Sequence, residues 1–128
     1  MTNDWMSASS RDGTYADVNG IRLYFEEHGD GPPLVLLHGG LGSGEMFAPI
    51  LPRLAQGHRV VLVDLQGHGR TADIDRPITV EAMADDIGAL IDHLGIAPAD
   101  VMGYSLGGGV ALQVALRHAP RVRRLVLV

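Results

Sequence analysis

Four short and almost uninterrupted apolar runs set the terms for this chain. Leu34 to Leu37, Val60 to Val63, Val101-Met102 and Leu125 to Val128 are no longer than a strand and lack polar alternation. A strand with one wet face alternates apolar and polar residues. A strand covered on both faces does not, and parallel sheets sandwiched between helices hold strands of that kind. The segments between the runs have helical spacing. Phe47, Ile50, Leu51 and Leu54 fall at i, i+3, i+4 and i+7, and Val80, Met83, Ala84, Ile87, Leu90, Ile91 and Leu94 keep one face apolar through a longer stretch. Thr79 is placed to cap that second helix and Gly95 to stop it. Val110, Ala111, Val114 and Ala115 mark a third helix, closed before Pro120. At the start, Tyr15 to Val18 and Ile21 to Glu27 flank Asn19-Gly20, which suits a type I′ hairpin turn, and His28 to Pro33 reads as a loop. The pattern predicts an α/β fold: a mostly parallel sheet with an N-terminal antiparallel hairpin and helices on both faces.

Composition narrows the function. The chain has 128 residues, 46% of them hydrophobic, which suits one domain with one modest core. A formal net charge of −5 argues against nucleic acid as a partner. With no cysteine there is no thiol nucleophile, disulfide or thiolate metal site. No apolar run reaches membrane-spanning length, and residues 1–12 lack the basic start and apolar middle of a signal peptide. They read as a flexible polar tail, and the expected location is cytoplasmic, with no membrane partner.

The chemistry-bearing motifs all follow strand runs. Gly103-Tyr104-Ser105-Leu106-Gly107 fits G-x-S-x-G between a strand and a helix, the nucleophile-elbow pattern. Such a turn strains the serine, and its flanking positions must be small for strand and helix to approach. Ser105 would stand at a helix N-terminus, with the Leu106 N–H facing a developing oxyanion. A serine that merely caps the helix is the plain alternative. His38-Gly39-Gly40-Leu41-Gly42 follows the first parallel strand, and the N–H of Gly40, with Leu41 the next candidate, would be the second oxyanion donor. The glycine loop and Asp64 also outline a dinucleotide-binding βαβ unit, but counting G-x-G-x-x-G from Gly40 or Gly42 puts Glu45 or Phe47 where the third glycine belongs. Asp64, His38, His68 and Tyr104 are candidates for the rim of the site. An Asp at a strand end more often bonds loop amides than takes part in catalysis.

With "LLHGGLGSG", "VVLVDLQGHGR" and "GYSLGGGVALQVALRHAPRVRRLVLV" in order, the chain resembles the α/β-hydrolase family from about Asn19 to Val128. It is most similar to the serine-nucleophile esterases, lactonases and carbon–carbon bond hydrolases. The resemblance implies a cofactor-free attack by Ser105 on an ester, lactone or similar small-molecule carbonyl. Epoxide hydrolases and haloalkane dehalogenases of the family usually carry aspartate at the elbow, so Ser105 argues against those chemistries. The family's triad runs Ser, then Asp or Glu, then His. The resemblance therefore implies that residues 13–128 form the N-terminal part of a truncated hydrolase domain, whose later strands, cap, catalytic acid and histidine lie elsewhere. On that reading the chain alone is weakly active or inactive. Its last strand exposes an apolar edge suited to self-association or a complementary fragment. The rival functional class is a non-catalytic small-molecule-binding scaffold around an idle serine. Of the six histidines, His38 and His68 share the rim with Ser105; His28 lies in a loop after the hairpin, His58 at the far end of the sheet, and His93 and His118 near helix ends, facing helix-end carbonyls or solvent.

Overall fold

The computed structural model describes residues 13–128; the predicted tail over 1–12 lies outside the described residues. Six strands form one sheet: β1 (Thr14–Val18), β2 (Ile21–His28), β3 (Pro33–Leu37), β4 (Arg59–Val63), β5 (Ala99–Gly103) and β6 (Val122–Leu127). Their spatial order is β1-β2-β4-β3-β5-β6. β1 and β2 pair antiparallel, β2 meets β4 antiparallel, and β4, β3, β5 and β6 run parallel. The apolar runs are strand cores, as their composition predicts. Along β3, Leu34 and Leu36 pack on one face, and Val35 and Leu37 on the other.

Three α-helices cover the sheet: α1 (Leu51–Ala55), α2 (Val80–Leu94) and α3 (Leu106–Arg117). The face carrying Leu34, Leu36, Val60 and Leu62 packs on Phe47 and Leu51. The opposite face is covered by α2 and α3 through residues such as Ile87, Leu90, Val110 and Val114. The ends of α2 match the sequence closely: Thr79 Oγ1 accepts the Ala82 N–H at 3.1 Å, and Gly95 closes the helix at φ 65°. The periodic stretch from Phe47 to Leu54 is not one helix. It divides into a 3₁₀ turn at Gly44–Phe47, capped by Ser43, and the short α1. Pro52 lacks an N–H and fits only the first turn of a helix, so α1 begins there, and Ile50 is exposed rather than buried. His28 also departs from expectation: it ends β2, is buried, and bonds the Glu26 carboxylate at 2.9 Å. No helix among the described residues is long and apolar enough to cross a membrane.

Two polar clusters lock the helices that carry the loops. Arg76 donates to both oxygens of buried Asp86, at 3.0 and 2.7 Å, and Asn19 of the hairpin turn donates to the same carboxylate at 2.9 Å. Gln66, also buried, accepts from Arg76 Nε at 3.0 Å and donates to Asp73 at 2.8 Å. The second cluster joins α2 to α3. His118 bonds the Asp85 carboxylate through Nε2 at 2.7 Å rather than a helix-end carbonyl, and Arg117 forks onto Asp85 at 2.9 and 2.8 Å. A carboxylate one helix away outcompetes a carbonyl for the ring because the bond is charge-assisted.

The Arg117 fork, aided by His118, holds the Asp85 carboxyl down to about 2. Its folded-state pKa thus lies below the unfolded value, near 3.9. The stability it contributes is whole above about pH 4 and is lost as the pH falls from there toward the folded value. Asp85→Asn is expected to flatten the fall in urea midpoint across that window, while leaving the neutral-pH midpoint lower than in the parent.

Candidate active site

The sheet order creates the site. The chain leaves β3 toward β4 and leaves β5 toward β6, on opposite sides, and a crevice opens where neighbouring loops diverge at the carboxyl ends of β3 and β5. The glycine loop follows β3 and Ser105 follows β5, so the two motifs meet there. Leu37 is in register with Gly103, and the Tyr104 N–H donates to the Leu37 carbonyl at 3.0 Å, carrying the pairing past the strand end.

Ser105 sits at φ 53°, ψ −113°, in the positive-φ region that a non-glycine residue rarely occupies. Its side chain makes no capping bond to α3, which disposes of the cap alternative, and the residue is exposed. The strain is held from both sides. Ser105 N–H donates to the Val128 carbonyl at 3.0 Å, and its own carbonyl accepts from Gly109 at 3.1 Å. Close approach demands the two flanking glycines. A Cβ on Gly103 would lie 2.0 Å from the Gly107 carbonyl oxygen, and one on Gly107 would lie 2.1 Å from that of Leu37. At Gly109, in the first turn of α3, an added Cβ would meet only Val80 at 3.5 Å.

The glycine loop packs directly against this turn. A Cβ on Gly39 would lie 3.0 Å from the Tyr104 ring and 3.7 Å from Ser105 Cβ, and one on Gly40 would lie 3.6 Å from Leu106 Cδ2. Among the described residues, the N–H groups of Gly40, Leu41 and Leu106 meet no acceptor, whereas Gly39 N–H donates to Met46 Sδ at 3.2 Å and Gly42 N–H to the Gly39 carbonyl at 3.2 Å. Three open donors thus lie in the two segments that bracket the serine.

His38 and Asp64 are buried, and each stitches loops together. The Leu65 N–H donates to His38 Nε2 at 3.0 Å, so the ring's proton sits on Nδ1, which donates to the Gly39 carbonyl at 2.7 Å. Both nitrogens are engaged, and burial pushes the imidazole below its ordinary value, keeping it neutral. Asp64 accepts from the Gly44 N–H at 2.8 Å and the Arg70 N–H at 2.9 Å, binding the glycine loop's exit to the loop after β4. His68 lies beside His38, ring centroids 5.0 Å apart, with Nδ1 bonded to the Gln66 carbonyl at 2.9 Å. Tyr104 is exposed at the mouth of the crevice. No hydrogen bond joins Ser105 Oγ to any of the six histidines, and no group of three or more His, Asp or Glu among the described residues is arranged to hold a metal ion.

Three contributors were missed in the sequence: Met46, the Val128 carbonyl and the Gln66–Arg76–Asp86 network. Only Asp86 left a signal, as a carboxylate between Ala84 and Ile87 on an apolar helix face.

Comparison with known proteins identifies the family of the fold. The family model for the alpha/beta hydrolase fold matches residues 32–128, and the chain belongs to that family. It is 46% identical over 112 residues to the protein named "Putative carbamate hydrolase RutD" from Caulobacter sp. (strain K31), covering 83% of this chain and 41% of the relative. It is 48% identical over 92 residues to the pimeloyl-[acyl-carrier protein] methyl ester esterase of Neisseria meningitidis serogroup B (strain H44/76), covering 72% of this chain and 34% of the relative. Among solved structures, the epoxide hydrolase CorEH superposes with a TM-score of 0.87 at 34% identity, over 91% of this chain and 41% of its own. The chain therefore spans about two-fifths or less of the length of these relatives.

Proposed function

We propose that this chain carries the nucleophile and oxyanion donors of a serine hydrolase acting on an ester or a similar carbonyl compound. The observation that carries the reading is the exposed Ser105 at φ 53°, bracketed by the open N–H groups of Gly40, Leu41 and Leu106. Ser105 Oγ attacks the carbonyl carbon and gives its proton to a histidine; the carbonyl π electrons move to oxygen. The Leu106 and Gly40 N–H groups then stabilise that oxyanion. Collapse expels the alcohol, which takes the proton, and water releases the acid from the acyl-serine by the same steps in reverse order. His38 serves as a loop tie, because using it as the base would break its bond from Leu65 or to Gly39. The reading places the base and its orienting carboxylate outside residues 1–128, in the part of the relatives that this chain does not span.

An esterase among the relatives and the serine at the elbow favour ester chemistry over epoxide opening, which in this family commonly uses an aspartate at that position. The test is covalent. In the protein expressed from its own gene, a p-nitrophenyl phosphonate is expected to modify Ser105, located by peptide mass spectrometry. An unmodified Ser105 would favour the non-catalytic binder. Residues 1–128 expressed alone are expected to release p-nitrophenolate from p-nitrophenyl acetate no faster than their Ser105→Ala variant. Rapid, serine-dependent release would place a working base within these residues.

A further inference from the structure

The direction of the Gly40 N–H depends on how Gly39 is held. Position 39 requires glycine, because a β-carbon there would lie 3.0 Å from the Tyr104 ring. Glycine also rotates more freely than any other residue, so the same requirement loosens the backbone just where the Gly40 N–H has to be aimed. Both ends of Gly39 are held by other residues. Its carbonyl accepts from His38 Nδ1 at 2.7 Å and from the Gly42 N–H at 3.2 Å. That carbonyl and the Gly40 N–H belong to one planar trans peptide and point in opposite directions, so holding the first directs the second. The preceding peptide is held by a different atom: the N–H of buried Gly39 donates to Met46 Sδ at 3.2 Å. With both flanking peptide planes fixed, Gly39 keeps no free dihedral with which to swing the Gly40 N–H away.

Met46 is delivered by a turn that is itself tied down. Its N–H donates to the Ser43 carbonyl at 3.1 Å, the Gly44 N–H donates to Asp64 at 2.8 Å, and the adjacent Phe47 is buried in the core. A thioether is a weak acceptor, but a buried N–H without any acceptor is costly. We infer that Met46 is a positioning residue: through Gly39, its sulfur keeps the Gly40 N–H aimed at the oxyanion that forms when Ser105 attacks. The inference rests on the serine-hydrolase reading above and adds to it a residue that acts through another.

The test uses p-nitrophenyl acetate and the protein expressed from its own gene. Met46→Leu keeps the bulk and removes the acceptor. It is expected to lower kcat by about tenfold with KM unchanged, because the oxyanion contact belongs to the transition state; losing a donor outright costs about 10²-fold or more. Met46→Gln, whose side-chain oxygen accepts a hydrogen bond, is expected to recover most of that loss. A merely structural Met46 would lower the thermal midpoint and spare kcat. A kcat within about twofold of the parent's in Met46→Leu, or an equal loss in both variants, overturns the inference. Amide exchange reads the bond without the reaction. The Gly39 N–H is expected to be protected in the parent and to exchange faster in Met46→Leu. An unprotected Gly39 N–H in a parent whose Ser105 takes the phosphonate overturns this inference alone. An unmodified Ser105 beside a protected Gly39 N–H removes the serine-hydrolase reading, and this inference with it.

Discussion

In the protein expressed from its own gene, Ser105→Ala is expected to lower kcat/KM for a p-nitrophenyl ester by about 10⁴-fold or more, while leaving the thermal midpoint within a degree or two of the parent's. The two halves of this expectation have separate causes. On the proposed mechanism, removing Oγ removes the atom that forms the acyl intermediate, and the remaining donors and binding surface supply only residual acceleration. The fold has no stake in the hydroxyl: it caps nothing in α3, and the bonds that fix the turn run through the Ser105 N–H and carbonyl, which alanine keeps. Alanine also has a β-carbon, so the strain at φ 53° is retained. Kinetics with purified protein, beside a thermal melt, check both. Residual activity within tenfold of the parent would show that Ser105 is not the nucleophile.

Gly107→Ala is the substitution with the largest expected cost in stability, about 3 kcal/mol or more. The added methyl would sit 2.1 Å from the Leu37 carbonyl oxygen and 2.6 Å from that of His38. Neither atom can yield easily. Leu37 is buried, its carbonyl holds the Tyr104 N–H, and His38 is fixed at both ring nitrogens. Relief would require α3 to lift off the sheet, taking Ser105 with it. Gly109→Ala on the same helix is the control. Its methyl meets only Val80 at 3.5 Å, and alanine's helix propensity favours a gain of up to about 1 kcal/mol. Urea unfolding of the two variants should therefore move in opposite directions. Equal effects would mean that the approach of α3 to β3 is looser than 2.1 Å implies.

The parts of this molecule legible in the sequence are those governed by local rules. Burial on both faces made β3 and β4 continuous apolar runs, and the cap at Thr79 and stop at Gly95 fixed α2. The tight turn at Ser105 was legible because its steric demand falls on Gly103 and Gly107, close in sequence to the serine that they flank. What stayed hidden is long-range. Asp64 reaches back 20 residues to Gly44, and His38 reaches forward 27 to Leu65. That a strand-end Asp bonds loop amides was legible, but no period or spacing names the partners, Gly44 and Arg70 for Asp64 and Leu65 for His38. The break between Phe47 and Leu54 was local and visible. Pro52 carried the signal, and the apolar spacing masked it.

The hydrogen bond from Ser105 N–H to the Val128 carbonyl bears on the order in which the serine turn is completed during synthesis. The serine is made 23 residues before its acceptor. A nascent chain that has reached α3 already contains the whole G-x-S-x-G motif, but its serine N–H has no β6 to bind. Only when the segment after α3 has emerged and paired with β5 does the turn acquire its second anchor. Until then the turn at Ser105 is held from one side alone, through the bond from Gly109 to its carbonyl.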